Sequence, residues 1–236
     1  YFNNNASIQW RHSFSNQFHS TTSLSFANYN YKFSSTENPT EAFEQEYKID
    51  HYSVKSDFNY FPRERSSVNF GLSSIFYNLQ PGELKPFGDV SLINPVNLQQ
   101  EKGLETALYV GYQQEFNNKF SAYGGFRMTM FNSIGPGPSF SFQNGQPRVE
   151  RSIIDTTFYS NSEIAKTYFG PELRLSGRYK LADDLSVKFA FDRMNQYIHV
   201  LSNTTAISPI DTWRLSNDYI RPQIGTQYSL GFYKTF

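Results

Sequence analysis

Along most of the chain, apolar and polar positions alternate with a period of two, as in strands that bury one face and wet the other. Ala6, Ile8, Trp10 and Phe14 share one parity over Ala6–Phe14, and Ser15-Asn16-Gln17 then reads as a tight turn. Phe18–Phe33 carries Leu24 and Phe26 on one parity and Tyr29, Tyr31 and Phe33 on the other. That change of phase near Ala27 predicts a bulge. A polar link, Ser34–Gln45, leads to Tyr47–Phe61 with Tyr47, Ile49, Tyr52, Val54, Phe58 and Tyr60, and Pro62–Arg65 turns the chain again. Val68–Leu79, Leu104–Phe116, Phe120–Met130, Leu173–Leu181 and Leu185–Phe191 repeat the pattern. In the last stretch Tyr228, Leu230, Phe232 and Phe236 share a parity, backed by Ser229, Gly231, Tyr233 and Thr235. The pattern predicts an all-β, antiparallel architecture of about nine strands.

The connections add a second rhythm. Asn117-Asn118 and Ala182–Asp184 are short like the first two turns, whereas Gln80–Lys102, Asn132–Lys166 and Asn195–Ile224 are long. Short turns at one rim and long loops at the other fit a transmembrane β-barrel, whose strands each need only about ten residues of alternating character. Strands of about twelve to sixteen residues also exceed the usual length in soluble sheets. No repeat of fixed period is evident, which disfavours propellers and solenoids.

Composition sharpens this. Of 236 residues 38% are hydrophobic, and 17 Tyr, 23 Phe and 2 Trp supply aromatics in excess of any aliphatic run. Aromatic side chains suit pleated surfaces and membrane girdles. No window approaches the roughly 18 to 20 apolar residues of a transmembrane helix. With zero net charge and scattered Lys and Arg, a nucleic-acid surface is excluded. The absence of Cys rules out disulfides and thiolate metal sites. The opening Tyr-Phe-Asn-Asn-Asn reads as mid-protein sequence, so the expectation is a fragment or a trimmed chain.

No catalytic constellation, metal-ligand spacing or cofactor motif is present, and His12, His19, His51 and His199 read as ordinary polar positions. Glu172, Arg174 and Arg178 alternate with Leu173, Leu175 and Tyr179, which assigns the charges to an interior face. There they are either a solvated wall or a contact to something inside the barrel. Trp10, Tyr60, Tyr109 and Trp213 are candidate interfacial aromatics, with Trp213 in an irregular segment; Tyr228, Leu230, Phe232 and Phe236 are candidate lipid-facing residues. Gly135-Pro-Gly-Pro-Ser-Phe140 is either a substrate-contacting external loop or a stiff loop without ligand. Nothing in the sequence singles out ligand-binding residues.

The run Arg193–Thr204, Asp211-Thr-Trp213 and Ile220–Phe232, with Ala6–Trp10, Asn28–Phe33 and Phe169–Arg174, resembles the barrel of TonB-dependent outer-membrane receptors. It is most similar to the branch with an N-terminal carboxypeptidase-regulatory-like domain. The resemblance implies a 22-stranded barrel in outer-membrane lipid, closed by a plug, energised through TonB, and taking up a scarce ligand. A surface lipoprotein is a further candidate partner. On that reading residues 1–236 are a partial barrel, with the plug and the remaining strands outside them. Two alternatives stand beside it: a complete small outer-membrane barrel acting as porin, adhesin or assembly component, and a soluble β-sandwich binding module.

Overall fold

The computed structural model describes residues 2–201 and 212–235. The chain forms β1 (Phe2–Ser15), β2 (Phe18–Ser35), β3 (Phe43–Arg63), β4 (Ser66–Pro86), β5 (Val96–Asn97), β6 (Glu101–Glu115) and β7 (Phe120–Ile134). It continues with β8 (Gly137–Phe142), β9 (Ile153–Tyr159), β10 (Ile164–Lys180), β11 (Leu185–Gln196), β12 (Ile198–Leu201), β13 (Thr212–Leu215) and β14 (Gln223–Lys234). One antiparallel sheet runs in the order β1-β2-β3-β4-β6-β7-β10-β11-β14, with β5 joined to β4; β8 pairs with β9, and β12 with β13. No helix among the described residues is long and apolar enough to cross a membrane.

Each long strand therefore pairs with the long strands before and after it. Four short turns join them at one end, here called the turn end. Their chemistry is local: the Asn117 carboxamide oxygen accepts from the amides of Lys119 at 2.8 Å and Phe120 at 2.9 Å, closing the β6–β7 turn. At the opposite, loop end the strands outlast the expected boundaries. β3 and β4 reach 21 residues each. Residues 80–86, expected in a loop, continue β4, and the two later long connections contain the small hairpins β8–β9 and β12–β13.

Register gives the sheet two faces. On one, β2, β3 and β4 align Phe18, Tyr60 and Val68, then Leu24, Val54 and Ser74, then Phe26, Tyr52 and Phe76. Farther along, Val110, Phe126 and Leu173 share a row, as do Phe189 and Leu230. Aromatic rows thus bracket an aliphatic middle. Near the turn end Phe14 stacks on Phe18 at 4.9 Å, and Phe58 on Phe70 at 5.3 Å. Hydroxyls that fall within this face bond to each other across strands, Thr22 to Ser56 at 3.1 Å and Ser74 to Thr106 at 3.3 Å. Such pairing removes the cost of a bare polar atom on an apolar surface.

Two expectations are corrected. No bulge interrupts β2 near Ala27: its register with β1 and β3 runs straight through that point. The phase change arises because the apolar face itself ends beyond Phe26. Outward positions there become Asn28 and Asn30, and the aromatics Tyr29, Tyr31 and Phe33 point the other way. On the outer face Asp50 accepts from Asn28 at 2.6 Å and Asn78 at 3.2 Å, a polar band above the upper aromatic row. Second, Tyr109 does not lie with the girdle aromatics. Leu108, Val110 and Tyr112 hold the apolar parity in β6, so Tyr109 faces inward, where its hydroxyl donates to Asp57.

Candidate functional site: the inner wall

The inner face is the one against which the β11–β14 connection folds back. Tyr197 and Leu215, from either side of the β12–β13 hairpin, pack into a buried cluster with Tyr77 and Leu79 of β4 and Phe131 of β7. The Phe131 and Tyr197 rings stack at 4.8 Å with 6° between their planes. Gly103 of β6 makes room for this: a Cβ there would meet the Phe131 ring at 2.7 Å and Leu215 Cδ1 at 3.1 Å. Phe131 is fully buried at 0% exposure, while Leu108 on the other face is 64% exposed. The large apolar side chains enclosed by this protein thus lie mainly on the nominally wet side of the sheet.

Charge fastens the same segment. Glu101 accepts from Arg214 Nε at 2.5 Å and from the Leu215 backbone amide at 2.6 Å. His199 bonds Ser216 Oγ at 2.8 Å, and burial holds its imidazole below the ordinary histidine value. Beyond the hairpin, Ser139 donates to Asp218 at 2.6 Å, Tyr168 donates to the Asn217 carbonyl at 2.8 Å, and the Tyr219 hydroxyl contacts the Phe140 backbone. The β8–β9 hairpin and the folded-in segment are latched to one another through Asp218 and Tyr219.

Below this plug of the chain's own residues lies a network along the wall. Arg127 sits between two carboxylates, 3.5 Å from Glu105 and 3.7 Å from Glu172, and also donates to Ser73 at 3.1 Å. Glu172 additionally accepts from the Asn195 backbone amide at 3.2 Å, where β11 parts from β10. Tyr77 donates to Glu105 at 3.2 Å. The Tyr109 ring lies between Lys55 and Arg127, 5.7 and 5.6 Å from their charged ends. Lys55 also pairs with Asp57 at 2.9 Å.

Glu172, Arg174 and Arg178 do share the inner face, but they do not form one site. Glu172 is buried in the Arg127 network; Arg174 is exposed and approaches Asp192 at 3.9 Å; Arg178 is exposed near the turn end. Trp10, Tyr60, Tyr228, Leu230 and Phe232 stand on the apolar face, and Phe236 lies outside the described residues. Trp213 packs against the inner cluster instead of joining a belt. Gly135–Phe140 enters β8 of the latched hairpin. Sequence reading missed Arg127, Glu101 and the Asp218–Tyr219 latch. A signal existed for Arg127, whose parity between Phe126 and Met128 turns it inward; none existed for Glu101, which the pattern left inside a loop.

No family model and no curated protein matches the sequence. Among solved structures, the copper transporter OprC superposes with a TM-score of 0.64 at 9% identity, covering 99% of this chain and 36% of that one. The ferric yersiniabactin uptake receptor FyuA from Yersinia pestis gives 0.59 at 12% identity, covering 99% of this chain and 33% of that one. The chain therefore spans about a third of the length of these proteins. What it shares with them is the fold: a run of long antiparallel strands of an outer-membrane β-barrel wall, as expected from the sequence.

Proposed function

We propose that this chain supplies part of the wall and the external loops of an outer-membrane uptake receptor, energised through TonB and filled by a plug domain. The observation that carries the reading is the two-faced wall. An apolar face runs across the sheet, flanked on β2–β4 by two aromatic rows, and the hydroxyls of Thr22 and Ser56 and of Ser74 and Thr106 are paired within it, as suits a surface in hydrocarbon. The opposite face is charged and hydrogen-bonded, and it receives a folded-in loop at one end. A soluble sandwich would bury the apolar face against a second sheet, and no such sheet covers it among the described residues. Loops at the loop end would meet ligand first, and the latched pair of hairpins stands over the inner wall.

The test is made on the intact native polypeptide. Outer-membrane fractionation, heat-modifiable migration and a mass well above 27.3 kDa, in keeping with receptors of which the chain covers about a third, support the reading. A mass near 27.3 kDa with the same fractionation favours the complete small barrel. Extraction without detergent contradicts both.

A further inference from the structure

Near the turn end the inner wall carries two cations that no anion answers among the described residues. Arg178 and Lys188 are directly opposed in the β10–β11 register. Both are exposed, and neither makes an ion pair among the described residues. Like charges placed opposite each other across strands are destabilising. Lys188 instead lies over the Tyr233 ring, 4.3 Å from its centre. Their row runs Glu115, Ser121, Arg178, Lys188, Gly231, so the carboxylate on it stands two strands from Arg178, and it too makes no ion pair among the described residues.

Beside the cations the wall is shallow. Ser176, Ala190 and Ser229 align in one row over three strands, and with Tyr123, Arg178 and Tyr233 they line an open depression. Small side chains in a row across strands leave a shelf on which a backbone can lie close to the sheet. Elsewhere on this face carboxylates have partners: Glu172 and Glu105 share Arg127, Asp57 takes Lys55, and Asp192 takes Arg174.

We propose that this depression seats an acidic peptide segment, with a carboxylate placed between Arg178 and Lys188. The inference rests on the barrel reading above and adds to it a docking position for the domain inside the barrel. A guanidinium presents a planar fork that a carboxylate meets bidentately, and the lysine adds a compact second charge. The anion would turn a repulsive pair into an attractive triad. An extended shelf across three strands fits a chain better than a free ion, which an enclosed pocket would hold.

The experiment places a photo-crosslinking amino acid at Ser176 or Ser229 in the full-length protein in its native outer membrane. The crosslinked residue is mapped by mass spectrometry. The expected product joins the site to a segment of the same polypeptide outside residues 1–236, with Asp or Glu adjacent to the crosslink. Its yield should fall about tenfold in Arg178→Gln/Lys188→Gln, the worth of one charge-assisted contact. Lys188→Gln alone serves as the milder variant, and heat-modifiable migration of each variant verifies folding. No crosslink, a crosslink to another polypeptide or to a segment without carboxylates, or an unchanged yield in the double variant overturns the inference. Fractionation of the wild type in the same preparation separates this failure from failure of the barrel reading.

Discussion

The two halves of the inner wall solve the same problem in opposite ways. At the loop end the wall is filled by the chain itself: Phe131, Leu79 and Leu215 are almost fully buried, and Glu101 holds Arg214 and the Leu215 amide. At the turn end it is bare, with Ser176, Ala190 and Ser229 for a floor and Arg178 facing Lys188. Both belong to one sheet, and they differ in the side chains that each turns inward. Large apolar residues are enclosed where the chain folds back; small, cationic and phenolic side chains face inward where it does not. The chain's own residues cover the wall at the loop end and leave its side chains exposed at the turn end.

The contrast can be broken from the filled side first. Phe131→Ala should cost about 3–5 kcal/mol, the range for deleting a buried aromatic ring, whereas Ser229→Ala should stay within about 0.5 kcal/mol. Thermal unfolding of the full-length protein in detergent measures both, and equal effects would dissolve the distinction. A smaller loss, about 1–3 kcal/mol, is expected for Glu101→Gln, which leaves Arg214 without its charged partner. Limited proteolysis should then cut between residues 197 and 222 faster than in the wild type.

A pH response follows from His199. Burial depresses its value, so the docked state favours the neutral ring. As pH falls below about 6.5 the released segment takes up a proton first, and docking weakens between that pH and the lowered value. It is restored as pH rises above about 6.5. Proteolysis of wild type against His199→Asn across this range isolates the histidine. The smallest effect belongs to the bare side: Arg178→Gln should leave unfolding unchanged or slightly improved, since it removes a like-charge contact.

Much of the wall was legible because a period of two in a two-faced sheet writes the face directly into the sequence. Leu173, Leu175 and Tyr179 against Glu172, Arg174 and Arg178 needed no structure to separate. The reading failed where the environment of a face changes along a strand. Beyond Phe26 the outer face becomes polar, so a shift in aromatic parity looked like a bulge although the backbone is regular. Tyr109 failed for another reason: an amphipathic ring suits both a headgroup region and a charged interior, and only its neighbours Leu108 and Val110 fix the parity. The inner core was illegible because it joins β4 and β7 to residues more than 60 positions away, in a segment without alternation.

The adjacent pair Leu108 and Tyr109 offers the most direct test of the two-faced wall. The described chain contains no Cys, so single Leu108→Cys and Tyr109→Cys variants of the full-length protein, on a background free of other accessible thiols, accept a nitroxide label in native membranes or liposomes. Collision with lipid-dissolved oxygen and with a water-soluble nickel chelate is then compared at the two sites. The account predicts high oxygen and low nickel accessibility at position 108, and low oxygen accessibility at 109. Equal water exposure at both, or a lipid-exposed label at 109, would contradict it.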